Sequence, residues 1–251
     1  MKIEITSRFN PRLKQLLADM DRLYVFAGEK LVRDILARDL TVDRLLASAA
    51  AEKDLPRGLA TVREHWRVSP QVLEKVSGMK SPPALIAVMD LPAAVIDFAR
   101  QKIVIGLVDV QDPGNLGTAF RCASAFGMPA LALAGDCARP NHPKVVRSAQ
   151  TALLDVPFQV FPGPDELIAL ALAQGAHVYV TGSHPGQRRL SLEALELPCL
   201  LLFGNEGQGL APRLLERFPL VQLEQTERID SLNVAVSACI LMHELQRLLG
   251  P

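Results

Sequence analysis

Apolar positions along this 251-residue chain form short unbroken runs that alternate with segments of helical periodicity. The clearest run is KIVIGLVDV at 102–110, and the clearest helical segment is PDELIALALAQG at 164–175. An apolar run without polar interruption is typical of a strand that is buried on both faces. From residue 103 onward, strands and helices in alternation predict a parallel sheet with helices on both faces. Ligands bind such sheets beyond the carboxyl ends of the strands.

The chain before residue 96 shows a different pattern. Its helical segments are 7–19, 26–40 and 69–78, and its strand-like segments are 42–48 and 84–91. The short helix at 69–78 begins with Ser69 as its cap and Pro70 in its first position. We therefore predict two domains, one at residues 1–95 and one at residues 96–251.

Composition narrows the class of protein. Hydrophobic residues make up 49% of the chain, which is enough for a full core without disulfides or metals. The 27 basic and 27 acidic residues cancel, so an RNA site would be a local patch. The four cysteines show no CxxC spacing, which indicates reduced thiols. The charged N-terminus does not look like a signal peptide, and no apolar run reaches the roughly 20 residues of a membrane span. We expect a cytoplasmic protein without membrane contact.

The first candidate site is the polar loop at 111–115, which joins a buried strand to a helix. Asn115 is a good helix cap, and Arg121 would lie over the bare backbone of Gly117 because helical side chains lean toward the N-terminus. An open helix start with a guanidinium suits a phosphate or a sugar oxygen. An ordinary cap and a surface arginine explain the same spacing equally well.

The second candidate site is FGNEGQGL at 203–210, in which three glycines let the backbone approach a ligand closely. Its glycine spacing matches neither a dinucleotide fingerprint nor a phosphate-binding P-loop. Glu206 argues against a phosphate and favours a neutral or cationic ligand. The alternative is a plain glycine turn between a strand and a helix.

The third candidate site precedes the last helix, where Ser231 is a plausible cap and Asn233 lies just inside. That helix is apolar on nearly every side, which indicates burial either in the core or at a subunit interface. Cys239 and His243 are four residues apart on it, but no further ligands are spaced to match. We therefore expect no metal site.

Together these segments resemble a known family. DVQDPGNLGTAFRCASAFG, LLFGNEGQGL and IDSLNVAVSACILMHEL are similar, in the same order, to the three motifs of the SpoU/TrmH-type RNA ribose 2′-O-methyltransferases of the SPOUT superfamily. ITSRFNPRLKQL, GEKLVRDIL and VSGMKSPPALIAVM resemble the small substrate-binding domain of that family. The resemblance covers nearly the whole chain.

The resemblance implies an α/β fold, with a trefoil knot in the parallel-sheet domain and a small L30e-like α/β domain before it. It implies S-adenosyl-L-methionine as the cofactor, no metal, and a homodimer through the C-terminal helix. The implied reaction is methyl transfer to a ribose 2′-hydroxyl, with 23S ribosomal RNA favoured over transfer RNA by analogy of the first domain.

By motif position, the resemblance also assigns individual residues. The reaction centre would contain Asn115, Arg121, Glu206, Ser231 and Asn233. The cofactor would contact Thr181, Gly182, Ser183, Gly204, Gly207, Leu223, Gln225, Ser231 and Leu232. Arg121 would either take the proton of the ribose hydroxyl or clamp a phosphate and stabilise the developing oxyanion. Candidate RNA phosphate contacts in the first domain are Arg8, Arg12, Lys14 and Arg33, whose alternative role is a solvated helix face.

The third motif departs from the family pattern. Many members begin it with Ile-Pro-Met and have a glycine four residues before the serine, where this chain has Leu223-Glu224-Gln225 and Glu227. A non-catalytic RNA-binding protein is therefore one alternative. A nucleotide-dependent oxidoreductase is another, although it rests only on the alternating pattern and lacks the glycine fingerprint.

Overall fold

Two compact units make up the fold of this chain in a computed structural model. The structure describes residues 2–38, 40–55, 59–182, 189–223 and 232–249. The first unit contains Met1–Pro92 together with Asn141–Thr151, and the second contains Ala93–Pro140 and Ala152–Pro251. The assignment of residues 1–95 as a substrate domain and 96–251 as a catalytic domain stays a prediction.

Up to Met89, the elements in chain order are β1 (Lys2–Ile5), α1 (Pro11–Ala18), β2 (Tyr24–Ala27), α2 (Glu29–Leu36), β3 (Val42–Ala47), β4 (Val62–Val68), α3 (Pro70–Ser77) and β5 (Leu85–Met89). The strands form one sheet in the order β1-β4-β3-β5-β2. Trp66 of β4 is 1% exposed and lies beside Leu46 of β3, which in turn pairs with Ile86 of β5. These side chains share one core with Leu13 of α1 and Val72 of α3.

The remaining elements are β6 (Ile103–Val108), α4 (Pro113–Ala125), β7 (Leu131–Ala134), α5 (Pro143–Ala149), α6 (Ala152–Asp155), β8 (Phe158–Phe161), α7 (Pro164–Ala173), β9 (His177–Thr181), β10 (Arg189–Leu190), β11 (Cys199–Phe203), α8 (Pro212–Arg217), β12 (Leu220–Val221) and α9 (Val234–Leu249). The strands of the second unit form a parallel sheet in the order β10-β12-β9-β11-β6-β7-β8. The predicted α/β class with a parallel sheet is confirmed. The trefoil knot and the L30e-like assignment stay predictions.

The centre of this sheet places two of the three candidate loops side by side. Every residue of β6 is buried, as its unbroken apolar run predicts. From β6 the chain winds outward through β7 to β8, and it returns to the other side of β6 with β9 and β11. The loops after β6 and β11 therefore leave the sheet as neighbours at a topological switch point, which is where ligands bind in open parallel sheets.

Three local predictions are wrong. The cap of α4 is Asp112, not Asn115, because its carboxylate accepts hydrogen bonds from the backbone of Gly114 (2.7 Å) and Asn115 (2.9 Å). Asn233 directly precedes α9, and its Oδ1 accepts from the backbone N–H of Ala235 at 2.9 Å, so Asn233 caps this helix from outside. The apolar spacing of HPKVVRSAQTALL at 142–154 predicts one helix, but Gln150, whose φ is +55°, divides this segment into α5 and α6.

The last helix buries one face and exposes another. Val234, Ala238 and Leu241 are among its buried residues. Val236, Ile240 and Leu248 are 47%, 39% and 45% exposed. The expected burial on nearly every side is thus not reached within a single chain. Among the described residues, no helix is long and apolar enough to cross a membrane.

Candidate functional site

A cavity of about 290 Å³ opens at the carboxyl ends of β9, β11 and β12 and against the start of α9. All six described residues that were predicted to contact the cofactor line it: Thr181, Gly182, Gly204, Gly207, Leu223 and Leu232. Ser183, Gln225 and Ser231 lie outside the described residues. The volume is at the lower end of the range for small-molecule sites, about 300–1,000 Å³. The cofactor role of these residues stays a prediction.

The wall after β11 is a glycine loop, defined here as residues 204–209. Its fold brings Gly204 against the far end of the loop, and a Cβ at Gly204 would lie 2.2 Å from the carbonyl carbon of Gly209. Gly209 has a φ of +66°, and its N–H donates to the carbonyl of Asn205 at 2.8 Å. Glycine is needed at 204 because two backbone segments meet there without room for a side chain. The predicted close backbone turn is present, and it faces the cavity.

Three of the predicted reaction-centre residues form a hydrogen-bonded chain. Asn115 Nδ2 donates to Glu206 Oε1, and Asn233 Nδ2 donates to Asn115 Oδ1 at 3.0 Å. The residues come from the start of α4, the glycine loop and the position before α9, so one contact chain joins the three candidate loops. Asn115 is free to make these contacts because Asp112 caps α4 in its place.

Arg121 lies apart from this chain of contacts. Its side chain is exposed on α4, the helix that packs against α9, and it is not part of the cavity wall. The resemblance implies that Arg121 faces the pocket that Gly204 and Leu232 help to form, but Arg121 is not among the residues that line this cavity in the single chain. Its catalytic role stays a prediction, as does that of Ser231, which lies outside the described residues.

The two buried cysteines, Cys122 and Cys199, show no sign of nucleophilic chemistry. Burial raises the pKa of Cys199 to about 12, and burial together with the neighbouring Cys239 raises the pKa of Cys122 to about 12. Both thiols are therefore protonated at neutral pH, and the thiolate is the nucleophilic form. Among the residues that the structure describes, no group of three His, Cys, Asp or Glu side chains is arranged to hold a metal ion.

The four basic residues predicted to contact RNA are on the surface of the first unit. Arg8 faces Glu74 at 3.8 Å, and Arg12 faces Glu64 at 3.1 Å. Arg33 donates to a backbone carbonyl at 2.9 Å, and the side chain of Lys14 is exposed. Surface ion pairs of this kind contribute only about 0–1 kcal/mol each, so the guanidinium groups can exchange partners readily.

Several residues of the site were not identified from the sequence, among them Asn205 in the cavity wall and its hydrogen-bond partner Asp109. Asn205 Nδ2 donates to the backbone carbonyl of Asp109 at 2.8 Å, which connects the end of β11 to the end of β6. Asn205 directly follows Gly204, and this Gly-Asn pair is a turn signal that could have marked it. No local pattern indicates that its partner is Asp109, 96 residues earlier.

The fold and the site define an α/β protein that binds a small organic ligand at the switch point of a parallel sheet. Residues 102–243 match the family model described as the SpoU rRNA Methylase family. The chain belongs to this family, which confirms the resemblance seen in its motifs.

Relatives and solved structures of the same family cover most of the chain. The 23S rRNA (guanosine(2553)-2'-O)-methyltransferase RlmP of Bacillus subtilis is 32% identical over 224 residues, which are 89% of this chain and 88% of that protein. The 23S rRNA (uridine(2479)-2'-O)-methyltransferase of Streptomyces viridochromogenes is 32% identical over 200 residues, 75% of this chain and 69% of that protein. The AdoMet-bound rRNA methyltransferase structure from Sinorhizobium meliloti has a TM-score of 0.82 at 25% identity and covers 100% of this chain and 99% of that chain.

Proposed function

We propose that this chain is an S-adenosyl-L-methionine-dependent RNA methyltransferase that acts on a ribose 2′-hydroxyl of 23S ribosomal RNA. Family membership supports the methyltransferase class, and the two relatives named above are 23S rRNA 2′-O-methyltransferases by name. The observation that carries the proposal is the hydrogen-bonded chain of Glu206, Asn115 and Asn233 beside a cavity lined by the glycine loop.

The residues present fit S-adenosyl-L-methionine. Gly204 lets the two ends of the glycine loop pack directly against each other, and the compact loop forms one wall of the cavity. Glu206 places a carboxylate on the cavity, which favours a positively charged ligand. When bound, the cofactor would supply a methyl group on a sulfonium, from which a neutral thioether departs as a good leaving group.

The remaining work of the reaction is to align the ribose oxygen and to accept its proton. Alignment by a rigid site contributes several kcal/mol, up to about 7–11 kcal/mol for ideally oriented reactants. The side-chain amide of Asn115 is held at its nitrogen by Glu206 and at its oxygen by Asn233, which fixes its orientation. Arg121 would hold a phosphate of the RNA and stabilise the oxyanion, or take the proton itself.

We also propose a homodimer in which the C-terminal helix is covered by a second copy. The apolar side chains of Val236, Ile240 and Leu248 are exposed on α9, while the opposite face is buried. Arg121 is on α4, which packs against α9, so a second copy would bring new groups near it. Light scattering should give twice the chain mass, and Ile240→Glu should give monomers. Val160→Glu, at a side chain 57% exposed on β8, is the matched control and should leave the mass unchanged.

Ribosomal RNA is favoured over transfer RNA by the extent of the matches. The neighbour described as methylating the 2-OH of C/U34 on tRNA covers only 59% of this chain, with a TM-score of 0.52. The relatives named for 23S rRNA cover 75% and 89% of it. The first unit therefore belongs to the part shared with ribosomal enzymes, and Arg8, Arg12, Lys14 and Arg33 are its proposed phosphate contacts. A cytoplasmic location is part of the same proposal.

The test is transfer of a tritiated methyl group to unmodified 23S ribosomal RNA and to transfer RNA in parallel. We expect incorporation into the ribosomal RNA at a single nucleotide that becomes resistant to alkaline cleavage. A DNA oligonucleotide of the same sequence is the control, because it lacks the 2′-hydroxyl. Incorporation into transfer RNA alone would contradict ribosomal RNA as the substrate and favour transfer RNA. RNA binding without cofactor binding would favour the non-catalytic alternative.

A further inference from the structure

The side chain of Asn205 connects the glycine loop to the end of the neighbouring strand β6. Its Oδ1 accepts from the backbone N–H of Gly207 at 2.7 Å and of Gln208 at 3.3 Å, which shapes the loop from within. Its Nδ2 donates to the carbonyl of Asp109 at 2.8 Å. The oxygen and the nitrogen of this amide therefore have different roles. The oxygen stabilises the turn within the loop, and the nitrogen bonds the loop to the end of the neighbouring strand.

The carbonyl that receives this bond is itself held in place. Asp109 follows β6 with a φ of +55°, a conformation that few residues other than glycine adopt. Its Oδ1 accepts from the backbone N–H of Asp136 at 2.7 Å and would lie 2.3 Å from a Cβ at Gly135. The turn after β7 thus fixes Asp109, and Asp109 offers a fixed acceptor to Asn205.

The hydrogen bond from Asn205 to the Asp109 carbonyl, called the tie below, also affects the reaction centre. Asn205 is followed directly by Glu206, whose carboxylate accepts the bond from Asn115 at the start of α4. The loop with Glu206 and the helix with Asn115 follow the adjacent strands β11 and β6. The bond from the loop to the end of β6 therefore sets the distance between Glu206 and Asn115. Misplacement of a catalytic group by about 1 Å can lower the reaction rate roughly 10²-fold.

We propose that Asn205 is a positioning residue: through the Asp109 carbonyl, it holds Glu206 against Asn115. The proposal deepens the methyltransferase function and rests on it. It also separates the two roles of the glycine loop, since the shape of the cofactor wall depends on the Asn205 oxygen and the placement of Glu206 depends on its nitrogen.

Asn205→Asp tests the tie, because it keeps the acceptor for Gly207 and Gln208 and puts an oxygen where the donor was. We expect the dissociation constant for S-adenosyl-L-methionine, measured by calorimetry, to change less than threefold. The single-turnover rate of methyl transfer should fall at least tenfold. In a Glu206→Ala background the same change should cost less than twofold, because no carboxylate remains to be misplaced.

Asn205→Ser is the second variant, in case the carboxylate prevents folding. The serine hydroxyl can accept from Gly207 as in short turns, but it is too short to reach Asp109. The same split between rate and cofactor affinity is expected. An unchanged rate, an equal loss in both backgrounds, or a loss of affinity as large as the loss of rate would overturn the proposal.

Hydrogen exchange of the backbone amides at 204–209 separates this proposal from the proposed function. If the wild-type chain binds the cofactor and methylates no RNA, the proposed function fails. Faster exchange of the glycine loop in Asn205→Asp would still support the tie, and unchanged exchange would overturn it.

Discussion

Gly204→Ala should damage both the glycine loop and the cofactor site, because the added methyl group meets backbone on the opposite side of the loop. The new Cβ would lie 2.2 Å from the carbonyl carbon of Gly209, 2.3 Å from the nitrogen of Leu210 and 2.5 Å from the carbonyl oxygen of Gly209. Ordinary contacts begin near 3.4 Å, so the two backbone segments must separate by about 1 Å. Neither segment is the flexible end of a side chain, and the strain therefore cannot be relieved locally.

The magnitude follows from overpacking in a tight region, which costs about 1–3 kcal/mol. The same displacement moves the cavity wall and Glu206 together. Titration calorimetry with S-adenosyl-L-methionine should show affinity reduced at least tenfold, and methyl transfer should fall further still. Thermal unfolding of the second unit should shift down by several degrees, at about 2–4 °C per kcal/mol.

Gly207→Ala is the matched comparison for stability. An added Cβ there meets only Asn205 Oδ1 at 3.4 Å, an ordinary contact distance. Alanine at a compatible site reduces the freedom of the unfolded chain and stabilises by about 0.4–1 kcal/mol. The unfolding temperature of this variant should therefore equal or exceed that of the wild type. Equal unfolding temperatures and cofactor affinities for Gly204→Ala and the wild type would refute the steric reasoning.

Three further predictions concern the reaction centre and the helix that carries it. Arg121→Ala should lower the rate of methyl transfer at least a hundredfold while calorimetry shows retained cofactor binding; an active variant would remove Arg121 from the reaction centre. Asn115→Asp should place two carboxylates in contact, which raises the pKa of the pair. The methyl-transfer rate of the variant, divided by that of the wild type, should be lowest at neutral pH and should recover toward pH 5, where a shared proton restores the hydrogen bond. A ratio that does not change with pH would contradict this. Asp112→Ala should destabilise the second unit by about 0.5–2 kcal/mol in urea unfolding because α4 loses its cap, whereas Asp112→Asn should retain most of the stability.

The α/β class and the positions of the candidate loops were readable from the sequence because they depend on local patterns. β6 is buried throughout, and its unbroken apolar run has the composition of a central parallel strand. The three glycines after β11 and the polar residues after β6 mark the ends of neighbouring strands. Strands β1, β2 and β4 were not predicted, although Val62, Glu64 and Trp66 of β4 alternate with Arg63 and His65 at a period of two. β1 and β2 have only four residues each, which is too few for a clear alternation, and charged or histidine residues occupy four of the seven positions of β4.

Tertiary contacts decide to which of the two units residues 141–151 belong. Residues 141–151 lie in the middle of the α/β pattern, yet they group with the first unit. Asn141 shows why, since its Nδ2 donates to the backbone carbonyl of Asp21 at 2.7 Å. A contact between positions 120 residues apart in the chain leaves no trace in hydrophobic periodicity.

The motifs at the three loops were enough to identify the family from the sequence. Only the tertiary structure decided what each of them does: Asp112 caps α4, Asn115 instead bonds Glu206, and Asn205 holds the glycine loop to Asp109. The physical reason is that side-chain amides and carboxylates of similar chemistry compete for the same few backbone donors at a strand end. Propensity ranks Asn and Asp as equal caps, so the choice between them depends on which acceptor and which neighbouring loop the fold brings within about 3 Å.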